Sequence, residues 1–135
     1  MTKTAFLFAG QGAQYLGMAR DLYDQYNVVR ATYDEASQVL GYDIRNLIDR
    51  EEEKLNQTRY TQPAILTTSV AIYRLLQEKG IQAAIVAGLS LGEYSAMVAA
   101  DALEFTTAVD LVAKRGAFME EAAPAGSGKM VAVKC

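Results

Sequence analysis

Apolar and polar residues follow one another in blocks that predict strands and helices in turn. The runs "TAFLFAG" (residues 4–10) and "AAIVAG" (residues 83–88) are short, continuous and apolar, and a glycine closes each of them. Such runs are typical of strands that a sheet buries on both faces. The segment "KMVAV" (residues 129–133) has the same character. The pattern therefore predicts three strands.

Helical periodicity predicts several helices between these strands. The stretch from Met18 to about Arg50 is amphipathic, and Gly41 interrupts it at a position that suits the C-terminus of a helix. The clearest helix lies in "RYTQPAILTTSVAIYRLLQEKG", with Pro63 near its first turn and Gly80 just past its end. Two further helices are predicted in "LGEYSAMVAA" and "EFTTAVDLVAKRGAFMEEA".

The order of these elements predicts an α/β fold with a parallel sheet, because the strands alternate with helical segments. The chain has 135 residues, of which 51% are hydrophobic, so it is long enough for one compact domain with a core. Two core strands and the start of a third are nevertheless too few for a parallel sheet to stand alone. We therefore expect the chain to be the first part of something larger.

Composition and charge exclude several classes of protein. The chain has 13 Lys and Arg residues against 16 Asp and Glu residues, a net charge of −3 with no basic block, which argues against a nucleic-acid partner. Cys135 is the single cysteine, so an internal disulfide is excluded and a metal cluster has no support. No apolar run approaches the about 18 residues of a membrane span. These features favour a soluble, cytoplasmic protein.

Ser90 lies in the pattern that usually mounts a nucleophilic serine. Gly88 and Gly92 flank it in a G-x-S-x-G motif, with a predicted strand before and a predicted helix after. In such a turn the serine projects from the end of the strand, and the amide of Leu91 can donate to an oxyanion. The alternative is structural, because Ser90 and Glu93 also form an S-x-x-E capping box.

Arg115 continues an apolar stripe of its helix instead of lying on the polar face. The stripe is spaced by 3, 4, 3 and 4 residues and consists of Phe105, Ala108, Val112, Arg115 and Met119. A guanidinium in that position needs an anionic partner or a polar cleft. The alternative is an arginine that extends its charged end to solvent or pairs with a structural carboxylate.

Two glycine-rich segments imitate nucleotide-binding loops but do not match them. In "GQGAQ" (residues 10–14) the third glycine of a dinucleotide motif would fall at Tyr15, and no acidic residue closes a second strand. In "APAGSGKM" the first glycine of a phosphate loop would fall at Ala123 and the Ser/Thr position is Met130. Neither segment predicts a nucleotide site.

Four segments, in this order and spacing, resemble one enzyme family: "FLFAGQGAQYLGM", "TQPAILTTSVA", "GLSLGEYSA" and "KRGAFME". They are similar to the malonyl-CoA:acyl carrier protein transacylases of fatty-acid synthesis and to the acyltransferase domains of polyketide synthases. The resemblance runs from Phe6 to about Val133, and the early first strand favours the stand-alone bacterial enzyme. Leu89 departs from the pattern, because many members have a histidine there, but that histidine is not the catalytic base.

The resemblance implies a mechanism and a fold. Ser90 would attack the thioester of malonyl-CoA, the backbone amides of Gln11 and Leu91 would bind the oxyanion, and Arg115 would bind the malonyl carboxylate. The phosphopantetheine thiol of acyl carrier protein would then take the malonyl group, with no metal and no cofactor beyond the substrate. Residues 1–127 would be the N-terminal part of an α/β-hydrolase-like acyltransferase domain, and residues 128–135 the first strand of a ferredoxin-like subdomain.

The chain contains no histidine, although a serine nucleophile usually relies on one as its base. In the resembled family the base lies in a later segment, beyond the ferredoxin-like subdomain. We therefore expect this chain to be inactive alone and to need a second chain or a missing C-terminal part. Two alternatives remain open from the residues: a different serine hydrolase or thioesterase, and a non-catalytic module that docks acyl carrier protein or CoA.

Overall fold

A computed structural model describes residues 2–135 as two strands and seven helices. Along the chain they are β1 (Ala5–Phe8), α1 (Arg20–Gln25), α2 (Asn27–Leu40), α3 (Ile44–Arg50), α4 (Glu52–Leu55), α5 (Thr58–Glu78), β2 (Ile85–Gly88), α6 (Leu91–Ala99) and α7 (Phe105–Ala122). The α/β class and the parallel pairing predicted from the sequence are confirmed, because β1 and β2 form a two-stranded parallel sheet. Gly41 ends α2 in the left-handed conformation, as its position predicted.

The sheet is covered on one face only. Phe6 and Phe8 of β1 contact the ring of Tyr73 in α5, edge to face. On the opposite face Leu7 is 80% exposed and Ile85 is 64% exposed. The prediction that both faces are buried is therefore wrong for this structure. A continuous apolar run indicates that both faces of a strand can be buried, but the described helices pack against only one face of this sheet.

The core is centred on α5, which packs against α2, α6 and α7. Its side chains are buried on nearly all sides from Thr61 to Thr68, and the hydroxyl groups of Tyr33 and Thr68 hydrogen-bond at 2.7 Å within this core. Although α5 has 21 residues, neither it nor any other described helix is long and apolar enough to cross a membrane.

Helix α5 begins earlier than its sequence indicated. Pro63 is its sixth residue and lies inside the helix, whereas the pattern placed this proline near the first turn. One side chain stabilises the polar first turn: the Thr61 hydroxyl donates to the carbonyl oxygens of Leu55 at 2.5 Å and Gln57 at 2.9 Å. These contacts begin the helix before the apolar periodicity starts.

The third predicted strand is not formed. Residues 128–135 have no regular secondary structure, and Met130 and Val133 are 93% and 84% exposed. The prediction of a strand here is wrong for this structure, and the physical reason is that a strand needs a neighbour for its backbone hydrogen bonds. The assignment of these residues to a ferredoxin-like subdomain stays a prediction.

The buried hydrogen bond of Tyr33 generates a test of the core. Tyr33→Phe removes one partner and leaves the Thr68 hydroxyl in a dry environment, so the free energy of unfolding should fall by about 1–2 kcal/mol. Tyr15→Phe is the matched control, because Tyr15 is 65% exposed, and it should change stability by less than about 0.5 kcal/mol. Urea unfolding of both variants measures the difference. Equal effects would contradict the placement of Tyr33.

Candidate active site

Ser90 occupies a strained turn between β2 and α6. Its backbone has φ 55° and ψ −112°, in the region of positive φ that residues other than glycine rarely adopt. Its side chain makes no capping hydrogen bond to α6, although Ser90 is the residue that precedes the helix. The capping box left open by the sequence is therefore not formed. The serine is exposed and has the backbone geometry of a nucleophile elbow.

The glycines of the motif are explained by the close approach of three backbones. A Cβ atom on Gly88 would lie 2.1 Å from the carbonyl carbon and oxygen of Gly92. A Cβ atom on Gly92 would lie 2.2 Å from the carbonyl oxygen of Phe8, at the end of β1. Real Cβ contacts are never this short, so only glycine allows β1, β2 and α6 to meet at the elbow.

The loop after β1 lies against the same turn. A Cβ atom on Gly10 would be 2.7 Å from the carbonyl oxygen of Leu89, the residue before the serine. The Gln11 side chain is anchored to α5, because its Nε2 donates to Thr58 Oγ1 at 3.1 Å. The backbone amides of Gln11 and Leu91 take no part in the hydrogen bonds found within residues 2–135. The loop is thus fixed beside the elbow and leaves these amides available to a ligand.

Arg115 points at the serine. One terminal nitrogen of its guanidinium donates to Ser90 Oγ at 3.1 Å, and the other donates to Gln62 Oε1 at 2.9 Å. The guanidinium also lies over the ring of Tyr94, 5.3 Å from its centroid. No carboxylate pairs with Arg115 in the part of the chain that the structure describes, so the alternative of a structural ion pair has no support.

Gln62 joins the two sides of the site, and sequence reasoning did not single it out. Its side chain is 1% exposed. Its Oε1 accepts from Arg115, while its Nε2 donates to Gln11 Oε1 at 3.1 Å and contacts Met119 Sδ at 3.5 Å. The signal in the sequence was a polar residue directly before the buried run of α5. An amide that is both donor and acceptor can hold the loop and the arginine at once.

Within residues 2–135, no side chain that could act as a base lies in hydrogen-bond contact with Ser90 Oγ. The one side chain that hydrogen-bonds to Ser90 Oγ in residues 2–135 is Arg115, and a guanidinium is a donor that cannot take a proton. The arrangement therefore combines an exposed serine, a cation within hydrogen-bond distance of it and two backbone amides nearby. It suits acyl transfer to the serine from a substrate that carries an anionic group.

A serine at a strained strand-to-helix turn, with a loop that leaves a backbone amide free beside it, is the arrangement typical of serine acyl-transfer enzymes. Residues 5–135 match the family described as the acyl transferase domain. The chain belongs to this family, which confirms the resemblance found in the four sequence motifs.

Individual relatives agree with this assignment. The malonyl CoA-acyl carrier protein transacylase of Escherichia coli K12 is 51% identical over 135 residues, which are 98% of this chain and 44% of that protein. The crystal structure of MCAT from Streptococcus pneumoniae is 80% identical with a TM-score of 0.89, over 90% of this chain and 40% of that one. A malonyl-transacylase solved in complex with a type II polyketide synthase acyl carrier protein is 50% identical with a TM-score of 0.88, over 91% of this chain and 40% of that one. The chain thus spans less than half the length of the relatives it matches.

The backbone contact at Gly92 predicts a sharp response to one methyl group. Gly92→Ala places a Cβ atom against the Phe8 carbonyl, and backbone atoms cannot rotate away, so stability should fall by about 3 kcal/mol or more. Gly128→Ala is the control, because a Cβ there meets nothing within 4 Å. Thermal unfolding followed by circular dichroism compares the two variants. A Gly92→Ala protein as stable as the control would show that the elbow is not held by this contact.

Proposed function

We propose that this chain forms the serine-bearing part of an enzyme that transfers a malonyl group from malonyl-CoA to acyl carrier protein. The observation that carries the proposal is the hydrogen bond from the Arg115 guanidinium to Ser90 Oγ, at 3.1 Å. It puts a fixed positive charge where the distal carboxylate of a short acyl group on Ser90 would lie. The names of the relatives supply the substrate, and the chain covers under half of their length.

The first half-reaction uses the elbow and the loop. Ser90 Oγ attacks the thioester carbonyl of malonyl-CoA, the bond from Oγ to carbon forms and the bond from carbon to sulfur breaks. The hydroxyl proton passes to a base and from it to the CoA thiolate. The amides of Gln11 and Leu91 would donate to the oxyanion, and Leu91 is suited to this because it opens helix α6.

Arg115 would select the acyl group. The free carboxylate of a malonyl group can take two parallel hydrogen bonds from a guanidinium, and such charge-assisted pairs are stronger than neutral ones. Gln62 holds one nitrogen of Arg115 and leaves the fork turned toward Ser90. An uncarboxylated acyl group would leave the guanidinium without an anion. A general serine hydrolase or thioesterase has no need of this arginine.

The second half-reaction returns the malonyl group to a thiol. The phosphopantetheine thiol of acyl carrier protein would attack the malonyl ester, Ser90 would regain its proton, and the kinetics would be ping-pong. The complex of a related transacylase with an acyl carrier protein supports this partner. We propose that the base is a histidine outside residues 1–135, so that turnover requires a further segment or a second chain.

Three further sequence predictions belong to this proposal. The transfer needs a nucleophile, a base and hydrogen-bond donors, so it includes no metal and no cofactor beyond malonyl-CoA. Residues 1–127 would form part of the acyltransferase domain and residues 128–135 the start of a ferredoxin-like subdomain. The cytoplasmic location also remains part of the proposal.

Ser90→Ala tests the nucleophile in an extended enzyme, defined as residues 1–135 followed by the residues of the Streptococcus pneumoniae relative that come after its counterpart of Cys135. We expect malonyl-CoA to add a malonyl group to the starting protein and none to Ser90→Ala, as read by intact mass. Ser95→Ala, in the helix that follows Ser90 and with a buried hydroxyl that has no partner among the described residues, should keep the adduct. An adduct that survives Ser90→Ala would refute the elbow assignment. Absence of any adduct in the starting protein would favour a docking module.

Arg115→Ala tests substrate selection in the extended enzyme. It should lower kcat/KM for malonyl-CoA by about several hundredfold, since breaking a desolvated charge pair costs about 3–5 kcal/mol. Transfer from acetyl-CoA should fall far less, and Arg115→Lys should recover little because a point charge cannot reproduce the fork. Lys114→Ala is the control, because Lys114 is exposed and pairs with Asp110. If the ratio of kcat/KM for malonyl-CoA to kcat/KM for acetyl-CoA did not change, Arg115 would have a structural role only.

A further inference from the structure

The helix that carries Arg115 makes a close contact with the first turn of α5. Gly116, the next residue along α7, faces that turn: a Cβ atom on it would lie 2.7 Å from the carbonyl oxygen of Thr58 and 2.8 Å from Cα of Arg59. No side chain can be placed between the two backbones. The position of Arg115 is thus set by how α7 sits on the start of α5.

Glu120, one helical turn after Gly116, fixes this contact with hydrogen bonds. Its Oε1 accepts from the backbone N–H of Arg59 at 2.9 Å, and its Oε2 accepts from Arg59 Nε at 2.6 Å. Helix α5 has no side-chain cap of its own, because Gln57 makes no capping hydrogen bond. Glu120 therefore caps α5 from a helix 61 residues further along the chain.

The electrostatics of this cap are favourable. The N-terminus of a helix carries partial positive charge, so a carboxylate is stabilised there. The hydrogen bond from the backbone N–H of Arg59 has the largest effect and lowers the pKa of the Glu120 carboxyl; burial opposes it, and the Arg59 guanidinium adds to the lowering. Glu120 is thus ionised at neutral pH and bound to both groups of Arg59.

The capped turn also holds the other side of the site. Thr58 accepts a hydrogen bond from the Gln11 side chain, and Gln62, one turn further along α5, binds both Gln11 and Arg115. Two charged groups of α7 are thus bound to α5: Gln62 holds the Arg115 guanidinium, and Glu120 is held by Arg59 one turn further along α7. The hydrogen bonds of Glu120 go to Arg59 and that of the Ser90 hydroxyl comes from Arg115, so the two side chains are not bonded to each other.

We propose that Glu120 is a positioning residue: it orients the Arg115 guanidinium and thereby determines the preference for a carboxylated acyl group. This inference rests on the proposed malonyl transfer and names a residue outside the reacting groups. Loss of the cap lets α7 shift on α5, so the guanidinium no longer stands where a malonyl carboxylate would meet it. Ser90 and Leu91 belong to the turn between β2 and α6, and the loop that carries Gln11 keeps its own hydrogen bonds to Thr58 and Gln62, so the nucleophile and the oxyanion donors keep their places.

The test compares Glu120→Ala with Glu121→Ala in the extended enzyme. Both variants remove one negative charge from α7, but Glu121 is exposed and makes no hydrogen bond to α5. Glu120→Ala should raise KM for malonyl-CoA and lower the selectivity ratio, kcat/KM for malonyl-CoA over acetyl-CoA, by about five- to tenfold, the scale on which single helix caps act. Glu120→Gln keeps an acceptor without the charge and should fall between Glu120→Ala and the starting protein.

Hydrogen–deuterium exchange of residues 57–62 supplies a second readout. The Arg59 amide should exchange faster in Glu120→Ala and stay as in the starting protein in Glu121→Ala. Faster exchange together with a lower selectivity ratio supports the proposal. Faster exchange with equal losses for both acyl-CoA substrates overturns it, because Glu120 would then only stabilise the fold. A starting protein without malonyl transfer would refute the proposed function itself, which is a distinct outcome.

Discussion

The site depends on one steric constraint, the meeting of three backbones at the serine turn. Gly88 touches Gly92, Gly92 touches the Phe8 carbonyl, and each contact is too short for a Cβ atom. This places the end of β1, the end of β2 and the start of α6 at one point. Ser90 is left with φ 55°, a conformation that persists only because its neighbours are held so closely. The loop after β1 reaches the serine for the same reason.

A second level of organisation comes from polar side chains inside an otherwise apolar core. Gln62 is nearly fully buried and uses both ends of its amide, so it can be accommodated only with its partners in place. Those partners are Gln11 and Arg115, which come from distant parts of the chain. Helix α5 thus acts as a common support: its buried face packs the core, while its first turns fix the loop and the arginine.

The local parts of this structure could be predicted from the sequence, and the parts set by long-range contacts could not. Apolar periodicity located the strands and the main helices, G-x-S-x-G located the elbow, and the stripe on α7 singled out Arg115. The start of α5 escaped prediction because polar contacts hold its first turn: the Thr61 hydroxyl on two backbone carbonyls, and the cap from a glutamate 61 residues away. Gln62 escaped prediction because its role depends on contacts with Gln11 and Arg115, which no sequence motif indicates. Residues 128–135 form no strand because a strand needs a neighbouring strand, and the periodicity of one segment cannot reveal whether that neighbour is present.

The half-covered sheet has a consequence for how the protein behaves in solution. Each of the two strands has one edge whose backbone groups are not paired within the sheet, and Leu7 and Ile85 present an apolar surface between these edges. Unpaired edges beside exposed apolar side chains are templates for the addition of another strand. Copies of the chain can therefore associate through these edges as the protein concentration rises. We expect solubility, and not unfolding of the core, to limit how far the protein can be concentrated.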